Sequence, residues 1–430
     1  MNTFFENIAE KNIKRLAKIM IWRMRPTVIG ITGSVGKTSA QEAISAVMRS
    51  VYRMRQSPAN IESRFAIPLA ILGAWNESDL NTVRDKTSKN ARRAGKIIFL
   101  CKVILQTIIK MPFINRAKYP QVLVLEYGVV KPGNIKELLE IAHPDIGIVT
   151  AIGEIPEHVE FFSSPEALVR EKAKLLESLP AHAVAIVNFD NENAMQCRAR
   201  TRAKTITFGF AEGADMRITS FENRSEHEIP QGISFKLEYG GSVVPVTLPK
   251  ALGKGRAYSA AIAACVGIVF NLHLVKVAGA LEANYAAIKG SMSLIKGIKE
   301  THIIDDSNTA SPTSMEEALH SLRDLPGRRK IAVLGDMLEL GKYTIEAHED
   351  IGRITSKVVD ILVTVGPRAK FIAEAAKRGG LAKTKILSFD TSREAGKALQ
   401  EVMRKGDLVL VKASRAMSLD QVIDEVRFAE

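Results

Sequence analysis

Residues 30–39, GITGSVGKTS, constrain this chain more than any other stretch. They follow a β-rich run, TVIGIT at 27–32, and lead into a helical pattern from Lys37 to Met48. A strand that feeds a small-residue turn and then a helix N-terminus presents backbone N–H groups and positive potential at one point, and that point suits phosphate. Gly33 and Gly36 let the backbone turn tightly. Lys37 can reach β/γ-phosphates and the Thr38 hydroxyl can ligate Mg²⁺. Ile31 stands where the strict eight-residue phosphate-loop pattern has its first glycine. The expectation is an ATP cradle built from Gly33, Ser34, Val35, Gly36, Lys37, Thr38 and Ser39.

The strand–turn–helix rhythm then repeats. Runs at 121–126, 145–150 and 183–188 read as strands, with helices near 135–142 and 165–179. Such alternation implies a parallel sheet with helices on both faces. From about 205 to 248 short alternating strands read as a small antiparallel annex, closed by a helix-rich stretch at 256–285. A second α/β series follows, with strands expected at 302–305, 330–334, 360–365 and 408–411. The fold class is therefore α/β: a phosphate-loop ATPase domain with a mostly parallel sheet and an antiparallel annex, then a Rossmann-like α/β domain. The expected division is a basic helix at 1–26, a central domain at 27–287 with an insertion at 76–120, and a C-terminal domain at 288–430. Cys101, Cys197 and Cys265 are far apart and odd in number, so neither a disulfide framework nor a zinc spacing is visible.

The net charge of +13 is concentrated. Residues 1–26 hold six basic and two acidic residues, and 84–118 hold ten basic residues and one acid, which together account for the whole excess. Aliphatic rather than aromatic residues interleave these charges, which favours anionic lipid over nucleic acid. On a helical wheel Lys89, Arg92, Arg93, Lys96, Lys102, Gln106 and Lys110 share one half. Ile97, Ile98, Cys101, Ile104, Leu105, Ile108 and Ile109 share the other. This reads as an amphipathic basic helix, packed on its domain or resting on a membrane surface. No apolar run is long enough to span a bilayer and no signal peptide stands out, so a cytoplasmic location is expected, with the inner face of the membrane as its finer reading.

Seven segments in order resemble the Mur ligase family, closest to the type that adds D-alanyl-D-alanine to UDP-N-acetylmuramoyl-tripeptide. They are TGSVGKTS (32–39), LEYG (125–128), PDIGIVTAIGEIPEHVEFFSSPE (144–166), EKAKLLESLP (171–180), IIDDSNTASPTSM (303–315), VLGDMLELG (333–341) and LVKASRAM (410–417). The resemblance implies amide formation: a carboxylate attacks the γ-phosphate of ATP, and an amine displaces phosphate from the acyl phosphate. It implies that Thr38, Glu126 and His158 ligate Mg²⁺ and that Lys172 is carbamylated, with Lys174 as a competing lysine. It places Lys37, His158 and Lys172 in catalysis, Ser259 and Asp306 at the nucleotide, and Asn60, Lys412, Ser414 and Arg415 at the substrates. Asp336, Glu339 and His348 fall in a loop expected to face the cleft between domains. The partners implied are a UDP- or lipid-linked cell-wall precursor and an amino acid or dipeptide, handled by a monomer.

The chain also departs from the family pattern. The phosphate loop begins near residue 32, so residues 1–26 are expected to form one basic helix rather than the family's N-terminal UDP-binding domain. The family's adenine-binding Asn is Ser259 and the Arg of its Gly-Arg-Met is Ser291; Asn308 and Thr309 replace its Tyr-Asn. Two other readings accompany the ligase: a folylpolyglutamate- or cyanophycin-type ligase, and a non-catalytic ATP-binding partner.

Overall fold

A computed structural model describes residues 2–59, 61–84, 91–286 and 288–428, with side chains from Glu6 and, in the helix opening at Ala91, from Gly95. Asn60, Lys89 and the side chains of Arg92 and Arg93 lie outside the described residues.

The first sheet comprises β1 Thr27–Thr32, β2 Met54–Gln56, β3 Val122–Glu126, β4 Ile146–Val149, β5 Val184–Asn188, β6 Lys204–Gly209, β7 Met216–Glu226, β8 Ile229–Tyr239 and β9 Ser242–Pro249. Their spatial order is β2-β3-β1-β4-β5-β6-β7-β8-β9. Strands from β2 to β7 run parallel, whereas β7, β8 and β9 form an antiparallel meander. The second sheet holds β10 Ser293–Gly297, β11 Thr301–Asp306, β12 Arg329–Gly335, β13 Ile361–Val365, β14 Ile386–Phe389 and β15 Asp407–Lys412. Its order is β10-β11-β15-β12-β13-β14, antiparallel only at β10. The expected α/β class with its annex is what forms. The edge strands β2, β10 and β14 were not anticipated. They are short and half-buried, so their alternation is weak.

The first sheet is covered on both faces. In β1, Ile29 and Ile31 face a core shared with helix α2, Lys37–Met48, while Val28 faces the opposite core. Successive side chains of a strand alternate between faces, so both must be apolar in a sheet covered on both sides. The second core takes in α1, Asn2–Met24, through Ala9, Ile13, Ala17, Met20 and Met24, and α3, Ser63–Leu72, through Phe65, Ile67 and Leu69. The N-terminal helix is thus built into the central domain's core.

After α4, Glu77–Arg84, helix α5, Ala91–Lys110, departs from the packed alternative, in which its apolar half would face the domain. It buries Phe99, Leu100, Val103 and Thr107, which lie on the half of the wheel that carries Lys96 and Gln106. The expected apolar half faces solvent instead: Ile98, Cys101, Leu105, Ile108 and Ile109 are exposed. A second stripe of large residues competes for the core, and Phe99 wins an edge-on contact with Trp75 at 5.5 Å between centroids. Lys96 is accommodated by an ion pair to Glu6 (2.6 Å) and a place over the Phe65 ring. No helix among the described residues is long and apolar enough to cross a membrane.

Candidate active site

The phosphate loop sits between β1 and α2. Gly33 has φ +146°, and a Cβ there would lie 2.0 Å from Thr150 Oγ1, so only glycine fits. Gly36, at φ +84°, turns the chain into α2. The loop is pinned from β4: the Thr150 hydroxyl donates to the Val35 carbonyl (2.6 Å), and the amides of Ser34 and Val35 donate to the Ala151 carbonyl (2.7 and 3.2 Å). Lys37 Nζ donates back to the carbonyls of Gly33 (2.9 Å) and Ser34 (3.3 Å). Gln41, one turn into α2, donates to Ser57 and to the Val124 carbonyl, tying the helix to β3.

Helix α7, Pro165–Glu177, follows α6, Asn134–Leu139, and brings up a second cation. Ser164 caps α7, its hydroxyl accepting from the Ala167 amide, and Pro165 occupies the first turn. Lys172 lies on the buried stripe of that helix with Leu168, Leu175 and Leu176. Its Nζ donates to the Gly33 carbonyl at 2.8 Å. Burial, and then the nearby charge of Lys37, lower its pKa to about 7. Lys174 points away and pairs with Glu171 at 2.6 Å.

Glu126 ends β3 on the other side of the loop. Burial raises its carboxyl pKa, and Lys37 and the Thr38 hydroxyl oppose that rise. Its Oε1 is shielded from solvent and has no hydrogen-bond partner, and the same holds for Ser34 Oγ. A shielded, unpartnered carboxylate oxygen beside a threonine hydroxyl suits a hard cation. Among the described residues no cluster of three or more His, Cys, Asp and Glu could hold a metal unaided. Mg²⁺ commonly uses one or two carboxylates together with substrate phosphates, and the residues here fit that mode.

His158 stands apart from this group. Its Nδ1 meets the Glu339 carboxylate of the second α/β unit. Both residues have left-handed backbone, φ 70° and 62°, which costs non-glycine residues roughly 1–2 kcal/mol. The pair therefore bridges the two units. Asp336 and His348, on the same segment, serve the fold. The Asp336 carboxylate accepts from the Arg368 and Ala369 amides (3.0 and 2.8 Å). His348 is fully buried, accepts from the Met337 amide through Nε2 (3.0 Å) and donates from Nδ1 to the Thr344 carbonyl (2.6 Å). Burial lowers its pKa to about 4, so it is neutral.

A cleft of about 310 Å³ runs from Val35, Gly36 and Ser39 to Asp306 and Lys412, and a smaller hollow of about 110 Å³ continues past Tyr258 and Ser259. The Ser259 hydroxyl is turned into its own helix, donating to the Gly255 carbonyl at 2.9 Å. Beside it Tyr258 packs edge-on against Phe208 and donates to Asp190 (2.8 Å), giving that hollow an aromatic wall. Arg256 reaches the Tyr285 hydroxyl and the Ser291 carbonyl, so a guanidinium borders the cleft from the central domain. Across the cleft, Asp306 and Lys412 are register partners in β11 and β15 and form a buried ion pair at 2.6 Å. Ser414 is also occupied, accepting from the Leu338 amide at 3.0 Å. Arg415 is exposed next to it and Asn60 is not described.

Of the candidate residues, the structure brings together Lys37, Thr38, Glu126 and Lys172 around the Gly33–Gly36 turn. It turns His158 towards Glu339 and Ser259 into its helix. The anchors Gln41, Ser57 and Thr150 and the wall of Tyr258 and Asp190 carry no chemical signature in sequence. Their neighbours come from distant strands.

The profile of the Mur ligase middle domain matches residues 105–267, and that of the Mur ligase glutamate ligase domain matches 292–415. The UDP-N-acetylmuramoyl-tripeptide–D-alanyl-D-alanine ligase of Bacillus subtilis is 28% identical over 422 residues, covering 96% of this chain and 79% of its own. The Synechocystis ligase of the same name is 27% identical and covers 94% and 76%. The MurF ligase of Thermotoga maritima, solved in complex with ADP, superposes with a TM-score of 0.75 at 23% identity, covering 97% of this chain and 83% of its own. With both domain profiles matched in order across most of a two-sheet chain that carries the phosphate loop at its cleft, this protein belongs to the Mur ligase family.

Proposed function

We propose that this protein is an ATP-dependent, ADP-forming carboxylate–amine ligase of peptidoglycan-type synthesis, adding D-alanyl-D-alanine to a UDP-linked muramoyl-tripeptide. The observation that carries the reading is the convergence of Lys37, Lys172 and the shielded Glu126 oxygen on one phosphate loop. The relatives' names supply the substrate class.

The chemistry follows from charge. Phosphoryl transfer from ATP to a carboxylate brings anions together, and protein catalysis consists of positioning and cation clamps. The loop amides and Lys37 hold the phosphates. Thr38 and Glu126 would hold Mg²⁺, which neutralises phosphate charge when bound. A lysine titrating near 7 is about half free amine at neutral pH, and that is the form that adds CO₂ and releases a proton to become a carbamate. The modified Lys172 would then present an anion beside the nucleotide. The Tyr258–Phe208 wall suits a purine face. The incoming amine attacks the acyl phosphate carbonyl and phosphate leaves. His158 is engaged with Glu339 here, so its service to a second Mg²⁺ requires that pair to open.

The test is ADP release with Mg²⁺, ATP, UDP-muramoyl-tripeptide and D-alanyl-D-alanine, with the amide product read by mass. Sustained ADP release that needs both acceptor and dipeptide supports the reading. ATP binding without acceptor-dependent turnover overturns it in favour of a non-catalytic member.

A further inference from the structure

The outward half of α5 is apolar and uncovered. Ile98, Leu105, Ile108 and Ile109 are 55–68% exposed, and Phe113, just beyond the helix, is 83% exposed. Single exposed aliphatics are ordinary, but a contiguous stripe along one helix marks an interaction surface. The Arg23 guanidinium donates to the carbonyls of Met111 and Pro112 (2.5 and 3.2 Å), tying the end of α1 to the segment after α5, and its neighbour Trp22 is exposed.

The rim of this surface is cationic. Arg15, Arg25, Lys110, Arg116 and Lys118 are all exposed. The acids of α1 are already committed, Glu6 to Lys96 (2.6 Å) and Glu10 to Lys14 (2.8 Å). No Asp or Glu occurs between residues 91 and 118.

We propose that this face docks on the surface of an anionic lipid bilayer, with α5 lying in the plane of the interface. An apolar stripe bordered by Lys and Arg matches a surface whose headgroups are negative and whose acyl region is reached within a few ångströms. A second copy of the chain would set one cationic rim against another, which is unfavourable. Single-stranded nucleic acid calls for exposed aromatic platforms along a groove, and this face is mainly aliphatic. The adjoining flank of α1, through Glu10, Lys11 and Lys14, walls a cleft of about 570 Å³ with Arg64 and Lys131. Docking would bring that cleft close to the headgroups. The proposal does not depend on the ligase reading.

The experiment uses the full chain with vesicles of phosphatidylglycerol and phosphatidylcholine, or of phosphatidylcholine alone, at low salt. The chain has two tryptophans, so Trp75→Phe leaves Trp22 as the sole reporter. The expected results are partition at least about tenfold stronger into anionic vesicles, a blue shift of Trp22 emission, and loss of both at high salt. Leu105→Glu with Ile108→Glu should lower partition about tenfold or more without changing circular dichroism or ADP release. Arg116→Ser and Lys118→Ser should each lower it about fivefold. Equal partition into both vesicle types, or partition unmoved by the Leu105/Ile108 variant, overturns the proposal. So does a concentration-dependent dimer in sedimentation velocity that this variant abolishes, which would assign the face to a second copy.

Discussion

The two walls of the cleft are built on opposite principles. On the central-domain side polar groups are left short of partners: Glu126 Oε1 and Ser34 Oγ have none, and Lys172 is held by one carbonyl with its pKa lowered to about 7. On the C-terminal side the corresponding groups satisfy one another: Lys412 has Asp306 and the Thr309 carbonyl, Ser414 has the Leu338 amide, and His348 has both ring nitrogens engaged. Burying an unsatisfied polar group is costly, so a wall that keeps several is organised for a ligand. The paired groups opposite, Lys412, Ser414 and His348, are organised for the fold.

If that contrast is right, the two walls fail differently. The largest effect expected is at Lys412. Lys412→Ala leaves Asp306 buried without its cation and should cost about 3–5 kcal/mol in urea unfolding. A variant as stable as the parent would show that the pair does not hold β11 to β15. Next comes Lys37→Ala, expected to cut ADP release about 10²–10³-fold while the melting temperature stays put. A large drop in melting temperature would place Lys37 with the structural wall.

A pH series sharpens the comparison. His348 is pushed down from 6.5 to about 4, so below 6.5 the unfolded chain binds the proton that the folded chain refuses. Stability from this group is therefore lost as pH falls from 6.5 towards 4, at up to about 1.4 kcal/mol per pH unit. Unfolding of His348→Gln should show a shallower slope in that window. The smallest effect is at Ser414. Ser414→Ala should lose about 1 kcal/mol of stability and leave the KM for the amine unchanged. A raised KM with normal stability would return Ser414 to the substrate.

What sequence makes legible follows the same divide. The phosphate loop can be read because its chemistry needs glycines, a lysine and a threonine at fixed spacing on one strand–helix unit. Lys172 and Glu126 are read from family resemblance, and the fold then brings them to that loop from two further elements. The strands with continuous apolar runs, β1 and β3, fall where their pattern puts them. Sheet order cannot be read, because β2 and β3 come to lie on one side of β1 and β4 on the other. Which half of α5 faces inward cannot be read from the wheel, for a physical reason. Two apolar stripes compete, and the wheel cannot say that Phe99, Leu100 and Val103 find partners in Trp75 and α1. Thr150 and Gln41 escape notice because a hydroxyl or amide that anchors a loop looks like any other. The roles of Ser414 and His348 escape too, since their partners are backbone groups of a loop elsewhere in the chain.

The central claim is that the poorly satisfied wall does the chemistry, with Lys172 as its modified anion. ADP release by Lys172→Ala, with and without added acetate or formate, tests it most directly. The account predicts a nearly inactive variant that a small carboxylate partly restores, while Lys37→Ala stays unrestored. Lys172→Arg should be inactive under both conditions, since a guanidinium cannot form the carbamate. Wild-type turnover by Lys172→Arg would contradict the account.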